Sequence, residues 1–148
     1  MNDTAPTVSL TQVHDYQFEL DFGGTVPKLL ADEPEPLGNG EGPSPIQLLA
    51  SSVGSCLSAS LLFALRKFKQ QPGPMGCRVE AELGRNAEGR LRVLSMTVRM
   101  TIGVPAHTLQ HLDRVLGSFE NYCTVTQSLV PAIAVHLAVF DSDGICLK

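Results

Sequence analysis

The sequence predicts an α+β domain: a hairpin, a long helix, a second hairpin, a second helix and a closing strand. Three observations carry this reading. Period-two alternation appears in two separate pairs of segments; one unbroken small-and-apolar run of helical length lies between them; and the order shows no regular strand–helix alternation of the kind that builds a parallel sheet.

Val8 to Gln12 and Tyr16 to Phe22 alternate through Val8, Leu10, Tyr16, Phe18, Leu20 and Phe22, with His14-Asp15 suited to a tight turn between them. From Gly23 to Pro45 the chain is crowded with Gly, Pro and acids, too broken for a core element apart from a short strand at Lys28 to Ala31. Ser44 followed by Pro45 is a helix start, because Ser caps the first amides and Pro at the first helical position loses no needed hydrogen bond. That helix is expected to run to about Gln70, ahead of Pro72-Gly73-Pro74, and to be central and buried, since Leu48 to Leu65 is apolar or small around nearly its whole circumference. Cys77 to Leu83 and Leu91 to Ile102 read as a second hairpin, with Leu94, Met96, Val98 and Met100 on one face. Pro105 to Asn121 reads as one amphipathic helix with Leu109, Leu112, Val115, Leu116 and Phe119 on a stripe. A short helical turn at Thr124 to Leu129 and a strand at Ile133 to Phe140 complete the order.

At 148 residues and 43% hydrophobic content the chain can build one core unaided, so residues 1–148 are read as a single domain. Its net charge of -4, with no basic cluster longer than Arg66-Lys67-x-Lys69, argues against a nucleic-acid partner. The N-terminus has neither the basic nor the apolar region of a leader, and no stretch is read as reaching the roughly 20 apolar residues a membrane span requires, so the expected location is cytoplasmic, with no membrane partner. The four cysteines, at 56, 77, 123 and 146, include no Cys-x-x-Cys; in a reducing compartment they are expected as thiols, and a disulfide among them as transient.

Two cysteines stand out. Cys56 lies within the long helix, where a thiol taken alone packs as a small hydrophobe. Cys123 precedes Thr124 to Leu129, whose first-turn amides and dipole would favour a thiolate. Gly54 with Ala50, Ser51, Ser55 and Ser58 leaves room for another helix on the Cys56 side. The helix carrying Leu109 to Phe119 is the obvious neighbour, and Cys123 lies at its exit, so the two sulfurs could meet. His107-x-x-x-His111 could in principle grip a metal, but both lie opposite the leucine stripe with no third ligand, so no metal or cofactor is expected; Cys77, at a strand start, and Cys146, in a frayable tail, receive no role.

Pro45-x-x-Leu48-Leu49-Ala50-x-x-x-Gly54-x-Cys56, followed by Tyr122-Cys123-x-Val125-x-x-Ser128-Leu129, resembles the OsmC/Ohr family of osmotically induced and organic-hydroperoxide-resistance proteins, over about residues 16–141. The resemblance implies an intertwined α+β homodimer in which antiparallel sheets pack on long central helices, with sites at the subunit interface. It also implies a catalytic pair: Cys56 attacks an organic hydroperoxide as thiolate and becomes a sulfenic acid, Cys123 condenses with it to a disulfide, and a dithiol reductant such as lipoamide restores the thiols. The chain departs from the peroxidase pattern in two places. Ile46 and Gln47 follow Pro45 where the family's peroxidases carry a glutamate, and no arginine occurs before Arg66; Lys28 and Glu41 are the conceivable stand-ins.

Three functions therefore stand side by side: a thiol-dependent peroxidase in oxidative defence; a dimer that binds a small apolar molecule in a pocket lined by Leu49, Val53, Leu57, Phe63 and Tyr122, or acts as a redox sensor; and a purely structural domain.

Overall fold

The structure, a computed structural model, describes residues 4–148, and its fold is α+β, with two three-stranded sheets and one long helix. The chain divides into two compact units, the first ending at Leu48 and the second running from Leu49 to Lys148.

In the first unit β1 (Ser9–His14), β2 (Gln17–Asp21) and β3 (Leu29–Ala31) form an antiparallel sheet in that order. Asp15, at φ 45°, makes the reversal between β1 and β2. Leu20 and Ala31 are buried while every residue of β1 is exposed. Below the sheet Asp32, 1% exposed, organises the Gly/Pro-rich loop: its Oδ2 accepts from the amides of Asn39 (3.2 Å) and Glu41 (3.1 Å) and from Gln17 Nε2 (3.4 Å). Burial alone would raise this carboxyl, but the Glu41 and Asn39 amides outweigh it and hold the group below the ordinary carboxylate value.

Helix α1 (Pro45–Lys67) opens with a reciprocal cap, in which Gln47 N–H donates to Ser44 Oγ (3.2 Å) and Ser44 N–H donates to Gln47 Oε1 (2.9 Å). It closes earlier than Gln70. Lys69 adopts φ 58°, and the Gln70 amide reaches back to the Leu65 carbonyl (3.0 Å), the wrap that ends a helix through a left-handed residue. By length and composition α1 could cross a membrane, which corrects the expectation that no stretch qualifies; a soluble core helix passes the same test. Nor is it buried all round. Val53, Gly54, Leu57, Leu61 and Leu65 form the buried stripe, at spacings of three and four, while Phe63 on another side is 68% exposed.

The second unit's sheet runs β4-β5-β6, from β4 (Gly76–Arg85), β5 (Leu91–Thr101) and β6 (Ala134–Phe140). β4 and β5 are antiparallel, but β6 joins β5 in parallel, so the sheet is mixed where antiparallel sheets were expected. The helical connection between β5 and β6 supplies the long crossover a parallel pair requires. Met96, Val98 and Met100 face inward as predicted, whereas Leu94 does not: the register shifts opposite Glu82 and Leu83, and Val93 takes the inner side while Leu94 stays 44% exposed. The displaced Leu94 lies over Gly84, where a Cβ would come within 2.3 Å of Leu94 Cδ1. One continuous core joins the α1 stripe to Met96, Val98, Met100, Ile102, Val115, Phe119, Cys123 and Val139.

The single helix expected over Pro105 to Asn121 is a broken one. A 3-10 turn at Ala106–Thr108 is followed by extended backbone, then α2 (Leu112–Ser118) and a second 3-10 turn at Phe119–Tyr122. His111 breaks the run at φ 58°, its ring stacked on Phe68 at 4.9 Å, while the Gln110 amide donates to the Gln70 side chain (2.8 Å). Helix α3 (Thr124–Leu129) follows. The tail is held rather than frayed. Cys146 bridges to Phe140, the amides of Ala106, Ile145 and Asp143 donate to Asp141, and Lys148 Nζ reaches the Leu116 carbonyl (2.6 Å) and pairs with Glu120.

Candidate functional site

Cys56 and Cys123 are neighbours in the second unit, close enough for Cys56 to influence the protonation of Cys123. The two approach from different elements. Cys56 is carried by the rigid middle of α1 and is partly buried; Cys123 is wholly buried at the junction between the second 3-10 turn and α3. Cys123 is the residue that caps α3. Its backbone is extended, and the Thr126 amide donates to its Sγ (3.4 Å), while the Thr126 hydroxyl lies 3.0 Å from the same sulfur.

The electrostatic outcome differs from the expectation that the helix start would favour a thiolate. Burial pushes the Cys123 thiol above its ordinary value, and the hydrogen bond to Cys56 pushes in the same direction; the Thr126 hydroxyl and amide offset only part of this. A six-residue helix ending in buried surroundings offers too few oriented amides to outweigh desolvation. Thr126 itself, 2% exposed, had a legible signal in the sequence, the capping spacing of three residues after Cys123, and was missed.

Gly54 has a different partner from the helix expected. A Cβ there would meet Val79 Cγ2 at 2.9 Å and Cys77 Sγ at 3.3 Å, so the small residue admits strand β4. Cys77 also hydrogen-bonds Ser58, four residues on from Gly54 along α1. The two histidines of His107-x-x-x-His111 fall on opposite sides of the helix break, and among the described residues no cluster of three or more His, Cys, Asp or Glu is placed to hold a metal. The conceivable stand-ins for the family's cation and acid are engaged within the first unit: Lys28 pairs with Glu19 (2.7 Å) and Asp21 (3.5 Å), and Glu41 accepts from Gln17 (2.5 Å).

The apolar pocket proposed from sequence is redrawn. Val53 and Leu57 have no exposed surface and belong to the core. Phe63 and Tyr122 do line a cavity of about 320 Å³, together with Phe68, Val115, Lys67 and Arg114.

The sequence profile of the family described as OsmC-like protein matches residues 38–138. Among solved structures, an OsmC-like protein of unknown function from Vibrio cholerae is similar at 18% identity and TM-score 0.78, covering 93% of this chain and 99% of that one. An OsmC-like protein from Mycoplasma pneumoniae follows at 12% and 0.76 (94% and 98%), and an organic hydroperoxide resistance protein from Legionella pneumophila at 17% and 0.70 (94% and 98%). At these identities the likeness establishes the fold. No curated protein matches by sequence.

Proposed function

This chain belongs to the OsmC-like protein family, and from that premise we propose that it is a thiol-dependent peroxidase that reduces organic hydroperoxides through Cys56 and Cys123. The observation that carries the reading is the juxtaposition of the two thiols, Cys56 from α1 and Cys123 from the start of α3, near enough for Cys56 to help raise the Cys123 thiol. In the proposed cycle the Cys56 thiolate attacks one oxygen of ROOH; an S–O bond forms, the O–O bond breaks, and the alkoxide leaves as ROH after taking a proton. Cys123 sulfur then attacks the sulfenic sulfur of Cys56, forming the S–S bond and releasing water. A dithiol reductant returns both thiols by exchange and is itself oxidised to a disulfide.

Members of the family are generally dimeric. We extend this to a homodimer in which residues 1–148 of each copy act as one domain, working in the cytoplasm. Supporting the dimer are the apolar side chains left open in the protomer, with Leu10 and Val13 of β1 each 58% exposed and Phe63 of α1 68% exposed.

The test is a free-thiol count on the reduced protein before and after one equivalent of cumene hydroperoxide, with mass mapping of any bridge. Loss of two of the four thiols as a Cys56–Cys123 disulfide, abolished by Cys56→Ser, is expected; four surviving thiols would overturn the assignment.

A further inference from the structure

The cavity lined by Phe63 and Tyr122 has a charge pattern that neither the peroxide chemistry nor the family membership explains. Its walls are apolar, built from Phe63, Phe68, Val115 and Tyr122, and the two charged side chains that line it are Lys67 and Arg114. No carboxylate lines it. Among the described residues, no ion pair engages either cation, although Lys28, Arg78 and Lys148 all have carboxylate partners elsewhere. Of the acids nearby along the chain, Glu120 is taken by Lys148, and Asp113, next to Arg114 at the start of α2, does not line the cavity. The placement follows from helical spacing. Phe63 and Lys67 are four residues apart on α1 and so share a face, while Arg114 and Val115 present α2 to the same space.

Aromatic walls with two unneutralised cations and no acid form a site for a molecule with a hydrocarbon body and an anionic head. We propose that this cavity binds an amphiphilic anion, a carboxylate or phosphate monoester on a medium-length alkyl chain, with Lys67 and Arg114 holding the head and Phe63, Phe68 and Tyr122 the chain. The guanidinium of Arg114 can grip two oxygens of such a head side by side, and the Lys67 ammonium adds a second point charge. A volume of about 320 Å³ lies at the lower end of the roughly 300–1,000 Å³ of ligand cavities, which favours a medium chain over a long one. The position also sets a direction. Lys67 is eleven residues, three helical turns, beyond Cys56 on nearly the same side of α1, and Tyr122 immediately precedes Cys123, so a chain anchored at Lys67 and lying along Phe63 follows the side of α1 that also carries Cys56.

The site does not depend on the thiols reacting, and its test uses protein carrying Cys56→Ser so that failure here is separable from failure of the peroxidase reading. Binding of octanoate, octyl phosphate, octanol and octyltrimethylammonium would be measured by calorimetry at low and high salt. Both anions are expected to bind, more weakly as salt rises, with octanol and the ammonium at least about tenfold weaker. Tighter octyl phosphate would mark a phosphate ester as the ligand, and tighter octanoate a fatty acid. Lys67→Gln combined with Arg114→Gln, both exposed positions, should abolish the preference for anions while leaving the thermal unfolding midpoint in place. Octanol binding as tightly as octanoate, undiminished anion binding by the double variant, or no binding at all would each overturn the proposal.

Discussion

Two sides of one helix contrast sharply. Along one side of α1, Val53, Leu57, Leu61 and Leu65 have no exposed surface and are locked against the second unit's sheet. Along another, Cys56, Phe63 and Lys67 follow one another at spacings of seven and four, with Phe63 68% exposed. The first side resembles any protein interior and carries no chemistry. The second is left open, and it carries the thiol that touches Cys123 and the cavity lined by two cations. A composition that is apolar or small all round the helix hides this division; the packing partners reveal it.

The strongest way to break the comparison is to truncate one residue on each side. Leu61→Ala should destabilise the protein by about 2–5 kcal/mol in urea unfolding, because the site cannot collapse around the lost atoms. Phe63→Ala, on the side left open to a second copy, should cost no more than about 0.5 kcal/mol in dilute protein, where the monomer prevails, and more as protein concentration rises. A small loss at Phe63 that is the same at every protein concentration would show that this side stays open in solution and that the second copy docks elsewhere.

A smaller effect tests the closed side at its tightest point. Gly54→Ala improves helix propensity by about 1 kcal/mol, yet its Cβ would stand 2.9 Å from Val79 Cγ2 and 3.3 Å from Cys77 Sγ. Overpacking of that kind costs about 1–3 kcal/mol, so a net destabilisation of about 1 kcal/mol is expected in the same unfolding assay. A stabilised variant would mean that Val79 yields freely and that this side is looser than its burial suggests.

The smallest effect concerns the thiol contact. Since burial and the bond to Cys56 both raise the Cys123 thiol above its ordinary value of 9.0, its alkylation by iodoacetamide should keep rising with pH beyond 9. The sign for stability follows from the same shift. Above pH 9 the unfolded chain ionises this thiol while the folded protein retains its proton, so stability falls as pH rises through that range and is unaffected below it. Cys56→Ala should move the alkylation curve of Cys123 to lower pH, read by peptide mass mapping. An unmoved curve would show that burial alone sets the shift.

Much of this architecture was legible because it rests on local signals. The Ser44-Pro45 start, the alternation of Met96, Val98 and Met100, and the turn Thr124 to Leu129 each depend on residues within a few positions of one another. The errors arose where a distant contact decided the backbone. The stripe from Leu109 to Phe119 has helical spacing, but His111 leaves the helix with its ring stacked on Phe68, forty-three residues back in the chain, and no local pattern announces that partner. Leu94 similarly follows the right period and is turned outward by a bulge set against Glu82 and Leu83. Of the candidate site, both cysteines were visible as residues, while the cations Lys67 and Arg114 were not, since an exposed Lys or Arg is unremarkable until a cavity is found to lie between them.

By itself the sequence determined the fold class, the family through its two cysteine segments, and the placement of Cys56 within a helix and Cys123 at the start of another. Those features follow from backbone propensity, capping and the period of apolar residues, which act over one or two turns. Only the tertiary structure decided which side of α1 closes, that Gly54 receives a strand rather than a helix, that β6 enters its sheet in parallel, and that burial raises the Cys123 thiol. Each of these depends on which surfaces exclude water from one another, and desolvation is a property of the packed ensemble of side chains that no local stretch of residues contains.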